Sequence, residues 1–397
     1  ESLTSAVSTA TVSYTLPAIS GFSGTAATQS SCSTLGGVTI TISGTSFGPV
    51  GHTDGVQAVY GTNADPDKYS ATSCSVTTLS SISCTTAAGV GDNLKWIVTV
   101  AGQDSPRSNA VIAYTLPTLT GLSGAAVTGR SATTGGMAIS LTGNFFGPPD
   151  QTEVVVQYGP DGTLSKYVAV SCTVVSQTSI TCQTRAGVGT GLKWRVGIGG
   201  QFSGSLSSTT TSYAAPTINK LSGEAASASG TTTAGNSQLI ITGTNFGPAA
   251  QTLVSAEYGP DADTDKYSVS NSDCSVVSHT SMRCNTVAGV GGGLKWSVII
   301  GGQKSAIFHE TAIKYANPVL TTASVDGGAT TVDTLGDTGG NTNTKVNLGG
   351  SNFGPACIGC ISATYGPSAA GSKYGPVTCD VLSSGHTSIR CPTVAGV

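Results

Sequence analysis

The chain has 397 residues, a formal net charge of −3, 9% charged residues, 54 glycines, and only 8 Phe and 3 Trp. This composition leaves modest core-forming material for each domain, and 17 Lys and Arg spread along the length provide no basic face, which argues against a nucleic-acid partner. There is no run of 18 or more apolar residues, so no membrane span is expected in this stretch, and any secretion signal has been removed or lies upstream of Glu1.

The first segment, "TATVSYTLP" (Thr9 to Pro17), aligns with "NAVIAYTLP" (Asn109 to Pro117), the end of a unit and not its beginning. Residues 1–16 are therefore expected to be the final strand of a preceding or neighbouring repeat. Unit starts at Pro17, Pro117, Pro216 and Pro318 follow one another by 100, 99 and 102 residues, the length of one independently folding domain. The expected organisation is repeat one at 17–116, repeat two at 117–215, repeat three at 216–317 and repeat four at 318–397. The fourth stops at "TVAGV" (Thr393 to Val397), before the "GxxLKW" segment of the others, and is incomplete at its C-terminal end. A window on a longer array accounts for this better than completion by the first strand of another molecule, because the missing piece includes the tryptophan strand.

Within repeat one, "GTSFGP" (Gly44 to Pro49) imitates the nucleophile elbow of a hydrolase. The same surroundings recur with Phe145, Asn245 and Asn352 in place of Ser46, and each copy follows a strand-like run. No nucleophile can be exchanged for phenylalanine, so Ser46 is read as the end of a strand and the protein as a non-enzyme.

One cysteine pair recurs per unit: Cys74/Cys84, Cys172/Cys182, Cys274/Cys284 and Cys379/Cys391, each flanking a short polar turn. These read as disulfide-stapled hairpins formed in an oxidising compartment, since the units lack the paired knuckles or added histidines of a zinc site. Cys357 and Cys360 ("CIGC") occur only in repeat four and read as a local disulfide. Cys32 has no cysteine counterpart in the other units and is left as a free thiol or a bond to another chain.

Short segments rich in Val, Ile, Thr and Tyr, bounded by Gly, Pro, Asn and Asp, predict an all-β fold of tandem immunoglobulin-like sandwiches. In "LKWRVGI" a period of two places Leu192, Trp194, Val196 and Ile198 on one face and Lys193 and Arg195 on the other. Trp96, Trp194 and Trp296 are thus expected in the core and not on a sugar-stacking surface.

The succession "P-x-I-x-x-L-S-G", "GGxxIxLTGxxFGP", "TSIxCxT", a glycine turn, "VxIGGQxS" and a closing Tyr, present over essentially the whole chain, resembles IPT/TIG domains. The "GVGxxLKWxVxIGGQxS" block is most similar to large fibrocystin-type multi-repeat surface proteins. The resemblance implies an immunoglobulin-like fold; it is weak as a guide to function.

Only two residues separate each closing Tyr from the next opening Pro, which predicts a stiff, rod-like array without flexible linkers. Clusters "SLSSTTTS" (Ser205 to Ser212) and "SGTTTAG" (Ser229 to Gly235) suit O-glycosylation, with Ser207, Ser208, Thr209, Thr210, Thr211, Thr231, Thr232 and Thr233 as candidates; no N-x-S/T sequon exists. Asp261, Asp263 and Asp265 have calcium-like spacing but lack the later glutamate of an EF-hand and read as a solvated turn. "GVGTG" (Gly187 to Gly191) precedes a strand, so it lacks the helix N-terminus of a phosphate loop. The four histidines, His52, His279, His309 and His386, form no repeated constellation. The expectation is an extracellular, cofactor-free structural protein, a rod that self-associates into or coats a surface filament and carries covalent O-linked glycans. The alternatives are an adhesion or receptor ectodomain binding a protein or glycan, and an accessory region of a secreted carbohydrate-active enzyme.

Overall fold

A computed structural model describes residues 5–394 apart from 8, 11, 28–30, 150–151, 250, 310–312, 326–344, 368–370 and 383–384. The last three residues of the expected "TVAGV" motif therefore lie outside the described residues. Two compact units form: the first takes residues 1–131, 135–185 and 191–212, the second 132–134, 186–190 and 213–397.

In the first unit, Ala18–Ser23, Thr39–Thr45, Ser81–Thr85 and Thr72–Thr78 pair in that order in one antiparallel sheet. Tyr69–Ser70, Val56–Gly61, Lys95–Val100 and Gln103–Asp104 pair in a second. Inward residues of both sheets, including Ile40, Ile42, Ile82, Tyr60, Trp96 and Val98, share one core, as alternating strands in a sandwich require. The following hundred residues repeat the two four-stranded sheets strand for strand. In the second unit, residues 217–304 do so again. The molecule is thus almost entirely β, built as tandem β-sandwiches.

The tryptophans lie where the period of two places them. Leu192, Trp194, Val196 and Ile198 are buried, and Trp96, Trp194 and Trp296 have no exposed surface. Each stacks on a tyrosine of the neighbouring strand, Tyr60, Tyr158 and Tyr258, with centroids 4.1, 4.0 and 3.9 Å apart. Such contacts add about 0.5–1.5 kcal/mol beyond area burial, and they close the question of an exposed sugar platform.

The disulfides Cys74–Cys84, Cys172–Cys182 and Cys274–Cys284 each span 10 residues and join neighbouring strands. Cys379–Cys391 spans 12, and Cys357–Cys360 is closed within one strand. Cys32 is free and fully buried, and its burial pushes the thiol pKa up. Cys32 therefore packs within the first sandwich, which does not present its thiol at the surface for a bond to another chain. Its position is the one taken by Thr231, since Cys32 bridges to Tyr114 as Thr231 bridges to Tyr315.

The strands of residues 319–392 are arranged differently. Val319–Val325, Lys345–Ser351, Ser388–Pro392, Tyr374–Val381 and Cys357–Tyr365 make one five-stranded sheet. Cys357–Tyr365 pairs with Tyr374–Val381, with Tyr365 opposite Tyr374 as Tyr60 is opposite Tyr69 in the first sandwich, and here the longer pairing joins the two sheets into one.

Candidate functional site: a valine knob and its socket

The hexapeptide that resembled a nucleophile elbow is a left-handed turn. Ser46, Phe145, Asn245 and Asn352 have φ of 63°, 63°, 62° and 62°, each directly following a strand. A side chain on Gly44 would overlap both the Ala18 carbonyl and the Phe47 ring, so the first glycine is required for Phe47 to reach the core. No helix follows Ser46. The hexapeptide instead shapes a docking surface.

The surface's partner is the "AGVG" loop. In the first sandwich Tyr60 Oη lies 2.8 Å from Tyr114 Oη; Ala87 N donates to Tyr60 Oη at 2.9 Å and Tyr114 Oη donates to Ala87 O at 2.8 Å. Three residues on, Val90 N donates to Tyr69 Oη and Tyr69 Oη donates to Val90 O, at 3.0 and 2.8 Å. Burial pushes the phenol pKa values of Tyr60 and Tyr114 upward, so both hydroxyls keep their protons and act as donors as well as acceptors. Three tyrosines, two on strands and Tyr114 at an isolated bridge, therefore fix four residues of loop. Val90 projects from it, yet it is only 2% exposed.

What covers Val90 is the following sandwich. Its γ-methyl occupies the space a side chain on Gly147 would need, and Gly199 would meet Gly91 N at 2.6 Å and Val90 Cγ2 at 3.0 Å if it carried a Cβ. Gly147 and Gly199 both have positive φ, +84° and +56°. Around this knob, Thr34 Oγ1 donates to Gln177 Oε1 at 2.6 Å, Gln177 Nε2 donates to Thr34 O at 3.1 Å, and Gln201 Nε2 donates to Tyr114 O at 3.3 Å. An ion pair, Lys68 Nζ to Glu153 Oε1 at 2.5 Å, flanks it.

Inside the second unit the same parts recur. Tyr258 and Tyr315 hold Val287, Tyr267 holds Val290, and Val290 fills the space above Gly354. Thr233 Oγ1 lies 3.0 Å from His386 Nδ1, and Gln303 Nε2 donates to Tyr213 O at 3.0 Å. Val188 likewise lies over Gly301. The column of residues before "TS" that held Gln177 and His386 thus makes lateral hydrogen bonds, a role not visible in the histidine count. A polar-rimmed cavity of about 580 Å3 lies beside the Val290 knob, lined by Lys266, Tyr267, Lys314, Asn352, Cys357 and Ile361 among others.

Four of the O-glycosylation candidates are corrected by burial. Ser207, Thr211, Thr231 and Thr233 are 4%, 3%, 2% and 1% exposed. Ser207 Oγ accepts from Trp194 N, Thr211 Oγ1 accepts from Trp194 Nε1 and Thr233 faces His386, so these hydroxyls belong to core and junction. Ser208, Thr210 and Thr232 are exposed and Thr209 is half-buried. Of the aspartates, Asp261 pairs with Lys295, and Asp263 N closes a turn to Pro260 O. "GVGTG" carries the buried Val188 and leads into the strand Lys193–Ile198. No helix among the described residues is long and apolar enough to cross a membrane.

Fold and site together define a class: tandem immunoglobulin-like sandwiches whose successive loops are keyed by a valine. Residues 216–315 match the family model of the IPT/TIG domain. No curated protein matches the sequence. Among solved structures, one described as a complex with a xylogluco-oligosaccharide is 15% identical, with 92% of this chain and 73% of that one covered and a TM-score of 0.26. The surface glycan-binding protein PbSGBP-B from Prevotella bryantii is 13% identical over 62% of this chain and 66% of its own, TM-score 0.30. The Escherichia coli adhesin FdeC is 12% identical over 74% and 93%, TM-score 0.21.

Proposed function

We propose that the protein is an extracellular, non-catalytic structural protein, a stiff tandem-IPT rod that forms or coats a surface filament. The observation that carries this reading is the keyed junction: in the first unit the buried Val90 with its flanking hydrogen bonds, and in the second the partly exposed Val290 over Gly354 with the Thr233–His386 contact, join consecutive sandwiches across two-residue connections. Inter-domain interfaces of this kind resist relative motion, where a bare linker would permit it. Five disulfides support an oxidising, extracellular setting. The tyrosine hydroxyls of the loop clamp are taken up by hydrogen bonds to the backbone. Glycans, if attached, belong on Ser208, Thr209, Thr210 or Thr232, where they would supply hydration that 9% charged residues do not.

Electron microscopy of native material tests the reading directly: regular filaments whose subunit matches these sandwiches are expected, and isolated particles would refute it. A ligand-binding ectodomain is the second reading, favoured by the cavity of about 580 Å3 with its two lysines and Asn352. Binding of an oligosaccharide or peptide that is lost on Lys266→Ala with Lys314→Ala would move the function there.

A further inference from the structure

Four of the five disulfides are sheltered: Cys84, Cys182, Cys274, Cys284, Cys379 and Cys391 are at most 4% exposed, so each of these bonds has at least one buried sulfur. Cys357–Cys360 is different. Cys360 is exposed and Cys357 half-buried. Between them the register steps from Cys357 opposite Val381 to Ile361 opposite Cys379, four residues against two, so the bond closes a bulge. Ile358 in that bulge is 92% exposed, and Gly359 N donates to Asp380 Oδ1 at 2.8 Å. The bond joins two positions of one strand, whereas each of the other four joins two strands, so opening it uncouples no strand pair.

The surroundings of this bond carry positive charge without a matching acid. Cys360 stands five positions after the "FGP" proline Pro355, where Glu153 stands five positions after Pro148. Glu153 pairs with Lys68, and the counterpart of Lys68 in the third sandwich is Lys266, each directly before the tyrosine that clamps the loop valine. With a cysteine in the acid's place, Lys266 has no carboxylate partner among the described residues. Lys314, which replaces Ala113 and Ser212 of the earlier sandwiches, lines the same cavity as Lys266 and both cysteines, and no Asp or Glu is among the described residues that line it.

We propose that Cys357–Cys360 is a thiol–disulfide exchange site for small thiols that carry a carboxylate. The incoming thiolate attacks Cys360 Sγ; a bond forms between the two sulfurs while the Cys357–Cys360 bond breaks, and its electron pair leaves on Cys357 Sγ as a thiolate. The oxidation state is conserved, so the step needs no further oxidant or reductant, and Cys357 reverses it by expelling the thiol. Lys266 and Lys314 favour the step twice, by attracting the carboxylate and by stabilising the departing thiolate. The exchange takes place at one bulge of one chain and is independent of the filament reading.

The test uses the intact 397-residue protein, with mercaptoacetate as the acidic thiol and 2-mercaptoethanol as the neutral one. Free thiols are trapped with iodoacetamide and mapped by mass spectrometry. A mercaptoacetate adduct on Cys360 with alkylated Cys357 is expected, while the four cross-strand disulfides stay closed. With both thiols normalised to their rates on an uncharged model disulfide, mercaptoacetate should react about threefold to tenfold faster, the effect of two nearby ammonium groups in water. That preference should vanish in Lys266→Ala with Lys314→Ala; because it is a ratio of two thiols on one protein, partial unfolding of the variant does not imitate it. No adduct at Cys360, or adducts forming equally fast at the cross-strand disulfides, would overturn the exchange site. A wild type without preference for mercaptoacetate, or a preference that the double substitution leaves unchanged, would overturn the assigned class of thiol.

Discussion

Replacing Val90 by Ala tests whether the knob holds two sandwiches together or merely finishes its own. Val90 is 2% exposed and its methyls fill the space above Gly147 and against Gly199. Truncation removes the equivalent of two buried methylenes, about 1.6 kcal/mol at ~0.8 kcal/mol each. On a local opening equilibrium this is roughly a tenfold to twentyfold change. The reporter is the Gly147 amide, which donates to Gln177 Oε1 at 3.2 Å, while Gln177 is itself bonded to Thr34 of the first sandwich. Hydrogen exchange of the intact protein should show the segment around Gly147 exchanging faster by that factor, with ladder amides of the Ile139–Cys182 pairing unchanged. If Val90 only caps its own core, faster exchange would be confined to the loop clamped by Tyr69 and the Gly147 segment would not respond. That outcome would refute the keyed junction and, with it, the mechanical argument for the function.

Three further substitutions probe the parts of this design separately. Cys172→Ala with Cys182→Ala should cost about 2.7 kcal/mol by the chain-entropy estimate for a closed loop of this size, seen as earlier denaturant unfolding of that sandwich alone in pulsed proteolysis. Thr211→Val should leave the buried Trp194 indole N–H without its 2.9 Å acceptor and cost about 1 kcal/mol, with the indole proton shifting in the NMR spectrum toward those of Trp96 and Trp296, whose Nε1 atoms have no partner. Thr231→Val should instead stabilise by about 1 kcal/mol, because its buried Oγ1 has no hydrogen bond and occupies the place a cysteine takes in the first sandwich; thermal unfolding of the variant below the wild-type midpoint would contradict this.

The fold was legible because period-two burial is a local property: "LKWRVGI" contains its own assignment of inside and outside, and the structure buries Leu192, Trp194, Val196 and Ile198 accordingly. The site was not legible in the same way. Val90 reads in sequence as one more apolar residue in a glycine turn, and only its pairing with Gly147, 57 positions on, gives either residue a purpose. The signal available was a coincidence of columns, a valine in every "AGVG" and a second glycine in every "FGP" hexapeptide, but a repeat comparison aligns each residue with its own copies and not with its neighbour's surface. Composition misled in the serine and threonine clusters. Hydroxyl-rich segments look solvated, whereas Ser207 and Thr211 use their hydroxyls to satisfy the Trp194 backbone and indole donors inside the sandwich.

The tyrosines link these two levels. Tyr60 stacks on Trp96 in the core and, through the same ring's hydroxyl, holds the loop whose valine leaves the domain. Core packing therefore sets the position of the knob, and a knob held by several hydrogen bonds to buried phenols loses little freedom when it docks.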